Sequence, residues 1–306
     1  MKKIGQSFKT DKIKLVYWFW KEPNFGDILS PFIVGSLSGK RIIHKSCCKG
    51  TIDCIKQIVK CLMFFRFKEW SSILFPWEKN LIGIGSIIGL GNKHSIIWGS
   101  GFLLSKNSFN GGKVCAVRGK RTNEKLVSMG YEGTSTFGDP AMLIPLLVKP
   151  SAVKSTDVGI IPHYTETDYF IERYGGTYKI IDLRTKDIEK VISETTSCRC
   201  ILSTSLHGII VSHAYGIPAL WIKLHTLSND DFKFYDYFSS VGIDDYEGFK
   251  NIDEILASEL GYKSLFLKNE KRMLPNVDVH DIQRGLLLAA PFNVVNVNED
   301  IKKLNK

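Results

Sequence analysis

The sequence offers no apolar run long enough to cross a membrane, and the stretch Leu15 to Trp20 near its start is far shorter than the core of a secretion signal. Its seven cysteines lack the repeated C-x₂-C spacing of a zinc site. Cys47 and Cys48 are adjacent and cannot easily join each other, and Cys198 and Cys200 lie two apart on an expected strand. That usage fits reduced thiols in a cytoplasm, with Cys115, Cys198 and Cys200 as core residues. No zinc-finger, RNP or basic-zipper pattern is present, so the usual nucleic-acid readers are missing. Internal repeats and low-complexity tracts are absent as well. Most telling, no Asp or Glu occurs between Lys79 and Asn123, a stretch holding Lys79, Lys93, Lys106, Lys113, Arg118, Lys120 and Arg121.

What is present suits a soluble enzyme-sized chain. At 306 residues, 44% of them hydrophobic, the protein can bury two ordinary domain cores. Lys and Arg total 41 against 31 Asp and Glu, a net charge of +10, which implies an anionic partner. A phosphorylated small molecule and an acidic membrane surface both satisfy that charge; no nucleic acid is expected.

Apolar runs of strand length alternate with helical patterns along the chain, the mark of βαβ units and parallel sheets. Expected strands are Ile13 to Trp20, Arg41 to His44, Leu81 to Ile84, Ser95 to Trp98 and Lys113 to Arg118. Asp157 to Ile161, Tyr178 to Leu183, Cys198 to Ser203 and Ala219 to Ile222 follow. Pro145 to Thr156 reads as a proline-marked linker, which puts a domain boundary near 150. A helix from about Asp278 to Leu288 is expected to pack back across one domain or the other. From Ile55 to Trp77 the pattern breaks. Ile55, Ile58, Val59 and Leu62 share one helical face with Lys56 and Lys60 opposite, as in an interfacial helix. A buried helix with lysines reaching to its rim is the alternative.

Open α/β sheets bind ligands beyond the C-terminal ends of their strands, so the loops there are the places to look for chemistry. Asn24-Phe25-Gly26-Asp27 follows the first strand, and Asp27 either accepts a substrate hydroxyl or caps the next helix. Gly83-Ile84-Gly85 has the wrong spacing for a dinucleotide fingerprint, and the acid-free stretch lacks the carboxylate such a site needs for ribose. An anion site is expected instead. Arg118 ends a strand, and its planar fork suits phosphate or carboxylate. His163 follows another strand, where a structural role competes with a functional one. Ser205-Leu206-His207-Gly208 leaves a strand and enters a helix, which puts His207 in the first turn. There the helix dipole disfavours imidazolium and a bound anion favours it, so substrate binding itself could supply the acid. His213, nearly two turns on, reads as packing.

Taken in order, Asn24-Phe25-Gly26-Asp27, Gly83-Ile84-Gly85, Val117-Arg118-Gly119, Gly138-Asp139-Pro140-Ala141, Ile161-Pro162-His163 and Ser205-Leu206-His207-Gly208 resemble the motifs of polysaccharide pyruvyl transferases. The resemblance spans roughly Tyr17 to Gly242. It implies a GT-B-like α/β fold, two Rossmann-type doubly wound domains (1–150 and 151–306) with a cleft between them. It also implies transfer of a pyruvyl group from phosphoenolpyruvate onto two hydroxyls of a sugar as a cyclic ketal, with no metal and no separate cofactor. By position, His207 looks like the catalytic histidine and Arg118 like the arginine that binds the donor. Gly83, Gly85, Ser205 and Lys223 fall on the donor side, and Asn24, Asp27 and His163 on the acceptor side. Asp139 is expected to cap the segment after it. The acceptor implied is a lipid-linked oligosaccharide at the inner face of the plasma membrane, with 55–77 as a candidate membrane contact.

One departure stands out. Many family members carry arginine two residues before the catalytic histidine, where this chain has Ser205; either Lys223, His225 or Lys233 compensates, or the donor differs. Two other functions compete. A nucleotide-sugar glycosyltransferase would use the same architecture, with Asp182 or Glu166 as its ribose contact. A non-catalytic basic scaffold binding membranes or acidic glycans would need no polar groups converging on a cleft.

Overall fold

Apolar runs become strands here because a parallel strand packed on both faces has no solvent side to alternate with. The computed structural model describes residues 8, 10–17, 23–46, 51–65, 72–224 and 230–295. The readings at Trp18 to Trp20, Cys47, Cys48, Arg66 to Trp70 and His225 lie outside the described residues. Strands β1 (Lys12–Val16), β2 (Arg41–Lys45), β3 (Asn80–Ile82), β4 (Ser95–Trp98) and β5 (Lys113–Ala116) form a parallel sheet in the order β2-β1-β3-β4-β5. A second parallel sheet follows from β6 (Thr156–Ile161), β7 (Lys179–Ile180), β8 (Cys198–Ser203) and β9 (Ala219–Trp221), ordered β7-β6-β8-β9. All four residues of β4 are buried. Each sheet reverses its strand order once, between β1 and β3 and between β6 and β8, and crevices beyond the C-terminal ends at such points are where ligands lodge.

The helices are α1 (Phe25–Ser38), α2 (Thr51–Met63), α3 (Lys120–Ser128), α4 (Thr167–Tyr174), α5 (Ile188–Thr196), α6 (Leu206–Ala214), α7 (Phe232–Val241), α8 (Ile252–Leu256), α9 (Glu259–Lys268) and α10 (Val279–Leu288). The two sheets do not have wholly separate cores. Leu29 and Ile33 of α1 belong to one apolar cluster with Ile209 of α6, Tyr237 of α7 and Leu286 of α10. Smaller clusters serve each sheet alone, one around Ile82 and Val117, the other around Phe170 and Leu202.

Between the sheets runs a 3₁₀ helix, Pro140–Leu146, started by Asp139, whose Oδ1 accepts from Ala141 N at 2.9 Å. Met142, Leu143 and Ile144 in it are fully buried, so the segment read as a linker begins within a 3₁₀ helix set against the core, half-buried at Pro145 and Leu147 and exposed at Lys149. The final helix α10 packs on this segment and on the first sheet: Trp98 Nε1 donates to Leu286 O at 2.9 Å and Gln283 Nε2 to Met142 O at 2.8 Å.

Helix α2 departs from the buried reading of its sequence. Ile58 turns with Cys54 and Cys61 toward Ile73, while Ile55, Val59 and Leu62 stay exposed. The helix is therefore not buried; of the expected apolar face Ile58 turns inward, and the rest is turned to solvent. No helix among the described residues is long and apolar enough to cross a membrane.

Candidate active site

The loop after β1 is built by its own polar side chains. Asn24 caps α1, its Oδ1 accepting from Gly26 N at 3.2 Å, and its Nδ2 donates to Asp27 Oδ2 at 3.1 Å. Asp27 is thus not the cap. Burial pushes its carboxyl up to about 7, against the pull of the Asn24 amide. Phe25 N donates to Leu183 O at 2.9 Å, which fastens this loop of the first half to the second.

His207 sits against that loop. It lies in the first turn of α6, which seats closely on the second sheet because residue 208 has no side chain; a methyl there would lie 2.4 Å from Ser203 Oγ. A methyl on Gly26 would lie 2.2 Å from His207 Nδ1, so only glycine lets the first loop meet the imidazole. On the other side of the ring, Nε2 is buried with no hydrogen-bond partner. Burial, then the positive charges of Lys233 and Arg118 and the nearby His163, push His207 down to about 3. It is neutral at pH 7.

His163 stands across the strand-order reversal of the second sheet. Its backbone N donates to Thr204 Oγ1 at 2.7 Å, and its Nδ1 lies 2.7 Å from Thr165 Oγ1. Burial and Lys233 push it down to about 4. Lys233, on α7, is half-buried, and burial and Arg118 push it down to about 8, with Glu166 and Asp231 pulling the other way from a distance. Among the described residues no carboxylate comes within ion-pairing distance of it. Lys223 differs: it pairs with Asp231, and its backbone N donates to Phe249 O at 2.9 Å. Both lysines line a shallow, solvent-open pocket with Glu166, Thr204, Asp231 and Phe234.

Arg118 is wholly buried where the halves meet. Its Nε donates to Asp236 Oδ2 at 2.9 Å, Nη1 to Ser86 Oγ at 2.6 Å and Nη2 to Phe102 O at 2.7 Å. Thr122 completes the set, donating to Asp236 from N and from Oγ1, each at 2.7 Å. Gly83 and Gly85 lead the chain to Ser86 but turn toward the first half's own core: Gly83 lies over Ser30, and the Gly85 carbonyl accepts from Ser100 Oγ at 2.7 Å. The acid-free stretch does not gather its cations. Lys79, Lys93, Lys106 and Lys113 are exposed at the surface, whereas Arg118 is buried. Ser205 is buried just before α6, and its side chain does not cap the helix.

Three histidine and lysine side chains and one guanidinium thus act on one another electrostatically, from four different loops and helices. Sequence reading missed Asp236. Its signal is there in retrospect: Lys233 and Asp236 stand three apart on the aromatic helix Phe-Lys-Phe-Tyr-Asp-Tyr-Phe, where a charge has no apolar reason to be. His213 is buried and hydrogen-bonded at Nδ1 to Tyr237 Oη at 3.0 Å, a packing residue. Among the described residues no group of three or more His, Cys, Asp or Glu converges as a metal ion would need.

Comparison with known proteins agrees with the order of these loops. The sequence model of the family described as polysaccharide pyruvyl transferase matches residues 24–226. Uncharacterized protein L143 of Acanthamoeba polyphaga mimivirus is 29% identical over 241 residues, covering 75% of each chain. No solved structure matches. With the match running from the Asn24 loop through α6 and the His207 turn to β9, the chain belongs to the polysaccharide pyruvyl transferase family.

Proposed function

We propose that this protein transfers the pyruvyl group of phosphoenolpyruvate to two hydroxyls of one sugar, forming a cyclic ketal and releasing phosphate. Family membership makes it a transferase of polysaccharide synthesis. The choice of donor rests on one observation: His207 Nε2 is buried without a partner beside cationic Arg118 and Lys233. A proton-carrying group beside a lysine that has no ion-pair partner among the described residues is complementary to a small polyanion whose reaction begins with protonation.

The chemistry then follows. Phosphate and carboxylate of the donor offset the charge of Lys233, which raises His207 and lets it take up a proton. His207 delivers that proton to the methylene carbon of the donor, and the first sugar hydroxyl adds to the neighbouring carbon as its own proton leaves. Phosphate departs with its bonding pair and carries the second hydroxyl's proton after that hydroxyl closes the ring. Charge on the leaving phosphate develops beside Lys233, where a preorganised cation is worth most. Asp27, with its carboxyl near 7, is the group to receive a hydroxyl proton. Asn24 orients Asp27, His163 serves the sugar, and Lys223 lines the pocket beside Lys233.

Lys233 takes the place of the arginine that Ser205 lacks. Lys223 is the weaker candidate because Asp231 already neutralises it. The two parallel sheets act as the two halves of a GT-B-like arrangement, 1–150 and 151–306, with the ligands between them. A lipid-linked oligosaccharide is the acceptor. The glycosyltransferase reading loses one of its two ribose contacts, because Asp182 is held by Arg184, Oδ2 accepting from Nη2 at 2.9 Å.

The test is product formation. The protein is incubated with phosphoenolpyruvate and a panel of oligosaccharides, and products are read by mass spectrometry. A sugar heavier by pyruvate less one water, formed in step with phosphate, is expected. Phosphate release without sugar modification, or sugar transfer from a nucleotide sugar, would overturn the reading.

A further inference from the structure

Helix α2 carries the largest run of exposed apolar side chains in the described protein. Ile52, Ile55, Val59, Leu62 and Met63 are all exposed, Ile52 at 71% and Met63 at 68%. At 3.6 residues per turn these positions form a single stripe about 100° wide, distinct from the face that Cys54, Ile58 and Cys61 use to pack on Ile73. Phe64 and Phe65 extend the stripe beyond the end of the helix, both exposed. Trp77, on the returning chain, adds a further exposed aromatic beside the helix: it is 69% exposed and stacks at 5.2 Å on Phe75, which packs against the Cys54 and Cys61 cluster. Monomeric soluble proteins seldom leave such a contiguous patch uncovered.

Charge identifies what covers it. Lys56 and Lys60 flank the stripe and are exposed. From 51 to 70 the sequence holds Lys56, Lys60, Arg66 and Lys68 against Asp53 and Glu69, in a chain already at +10. A second copy docking through the same face would set this cationic segment against itself, which like-charge repulsion opposes. Anionic lipid offers both complements at once, acyl chains for the stripe and negative headgroups for the lysines, and a tryptophan at the border suits the headgroup level.

We infer that α2 with Trp77 is a peripheral membrane-docking element that lies in the headgroup plane of an anionic bilayer. The element follows the C-terminal end of β2, so it stands on the edge of the first sheet where the Asn24 loop also emerges. Docking needs neither donor nor acceptor, and it stands or falls separately from pyruvyl transfer.

Full-length protein is sedimented with vesicles of phosphatidylcholine alone and of phosphatidylcholine with a minority of phosphatidylglycerol. The wild type should pellet with the anionic vesicles and remain largely soluble with the neutral ones. Lys56→Ala with Lys60→Ala should weaken partitioning about 30-fold, taking a loss of roughly 5-fold per basic residue at the surface. Ile55→Asp with Val59→Asp should abolish it. Since all four side chains are exposed, circular dichroism and melting temperature should match the wild type in both variants. Wild-type protein left in the supernatant, or equal pelleting of all three proteins, would overturn the inference. A concentration-dependent dimer that Val59→Asp dissolves would overturn it too, by assigning the face to a second copy.

Discussion

Replacing Lys233 with methionine should make the protein more stable and a worse enzyme, and the opposite signs are what give the experiment its force. Methionine keeps the length of the lysine stem and its packing over Phe234 while removing the charge. Burial and Arg118 hold the lysine at about 8, below its usual 10.5. At roughly 1.4 kcal/mol per unit, the charged form costs the fold up to about 3 kcal/mol, and a half-buried group warrants about 2. For a chain of this size that corresponds to a rise of a few degrees in melting temperature. The sign depends on pH in a defined way. Below pH 8 the lysine is charged in both folded and unfolded protein and the full cost is present; between 8 and 10.5 only the unfolded chain keeps the proton, and the cost fades. The gain from Lys233→Met should therefore be largest below pH 8 and vanish near 10.5. Donor binding should suffer, since a charge-assisted hydrogen bond to phosphate or carboxylate contributes about 1.5 to 3 kcal/mol, or about a 10- to 100-fold rise in KM for phosphoenolpyruvate. Differential scanning fluorimetry across pH and initial-rate kinetics read the two effects. A variant that melts lower than wild type with an unchanged KM would show a structural lysine and refute the assignment.

Further consequences concern neighbouring groups. His207→Ala should lower turnover by about 100-fold or more while the melting temperature changes little, measured by phosphate release. Donor binding should take up protons near pH 7, because the anion raises His207 from about 3; calorimetric titration in buffers of different ionisation enthalpy reads the uptake, and zero uptake would remove His207 as the acid. Asp27→Asn should stabilise the fold at pH 8 by about 2 to 4 kcal/mol and lose that advantage as pH falls from 7 to 4, where native and unfolded carboxyls both become protonated. Urea unfolding at the two pH values checks it. Asp236→Ala should cost about 3 to 5 kcal/mol, since it strands the fully buried Arg118, and chemical denaturation gives the value.

Much of the fold was legible because a parallel strand buried on both faces is an apolar run. Ser95 to Trp98 and Cys198 to Ser203 were placed at their observed bounds. Tyr178 to Leu183 shrank to Lys179–Ile180, since Leu183 turns from the ladder to receive the Phe25 amide of the other half. The linker reading erred at Pro145, because proline in a 3₁₀ helix carries the same local signal as proline in a loop. At the candidate site, Asn24, Asp27, His163 and His207 were readable from their position after strands. Asp236 was not, since its partner Arg118 lies 118 residues away and no local pattern encodes the pair. The division of labour between Lys223 and Lys233 was also hidden, for it depends on where Asp231 sits in space. Exposure of the α2 stripe was equally invisible: the helical period gives an apolar face but not whether anything covers it.

Ligand-induced stabilisation tests donor identity most directly, since a ligand that binds only the native state raises its melting temperature. Phosphoenolpyruvate is compared with a panel of nucleotide sugars on wild type and Lys233→Met. A rise with phosphoenolpyruvate alone, much reduced in the variant, is the expected result. A rise with a nucleotide sugar and none with phosphoenolpyruvate would contradict the donor assignment, and with it the role of Lys233 in place of the missing arginine.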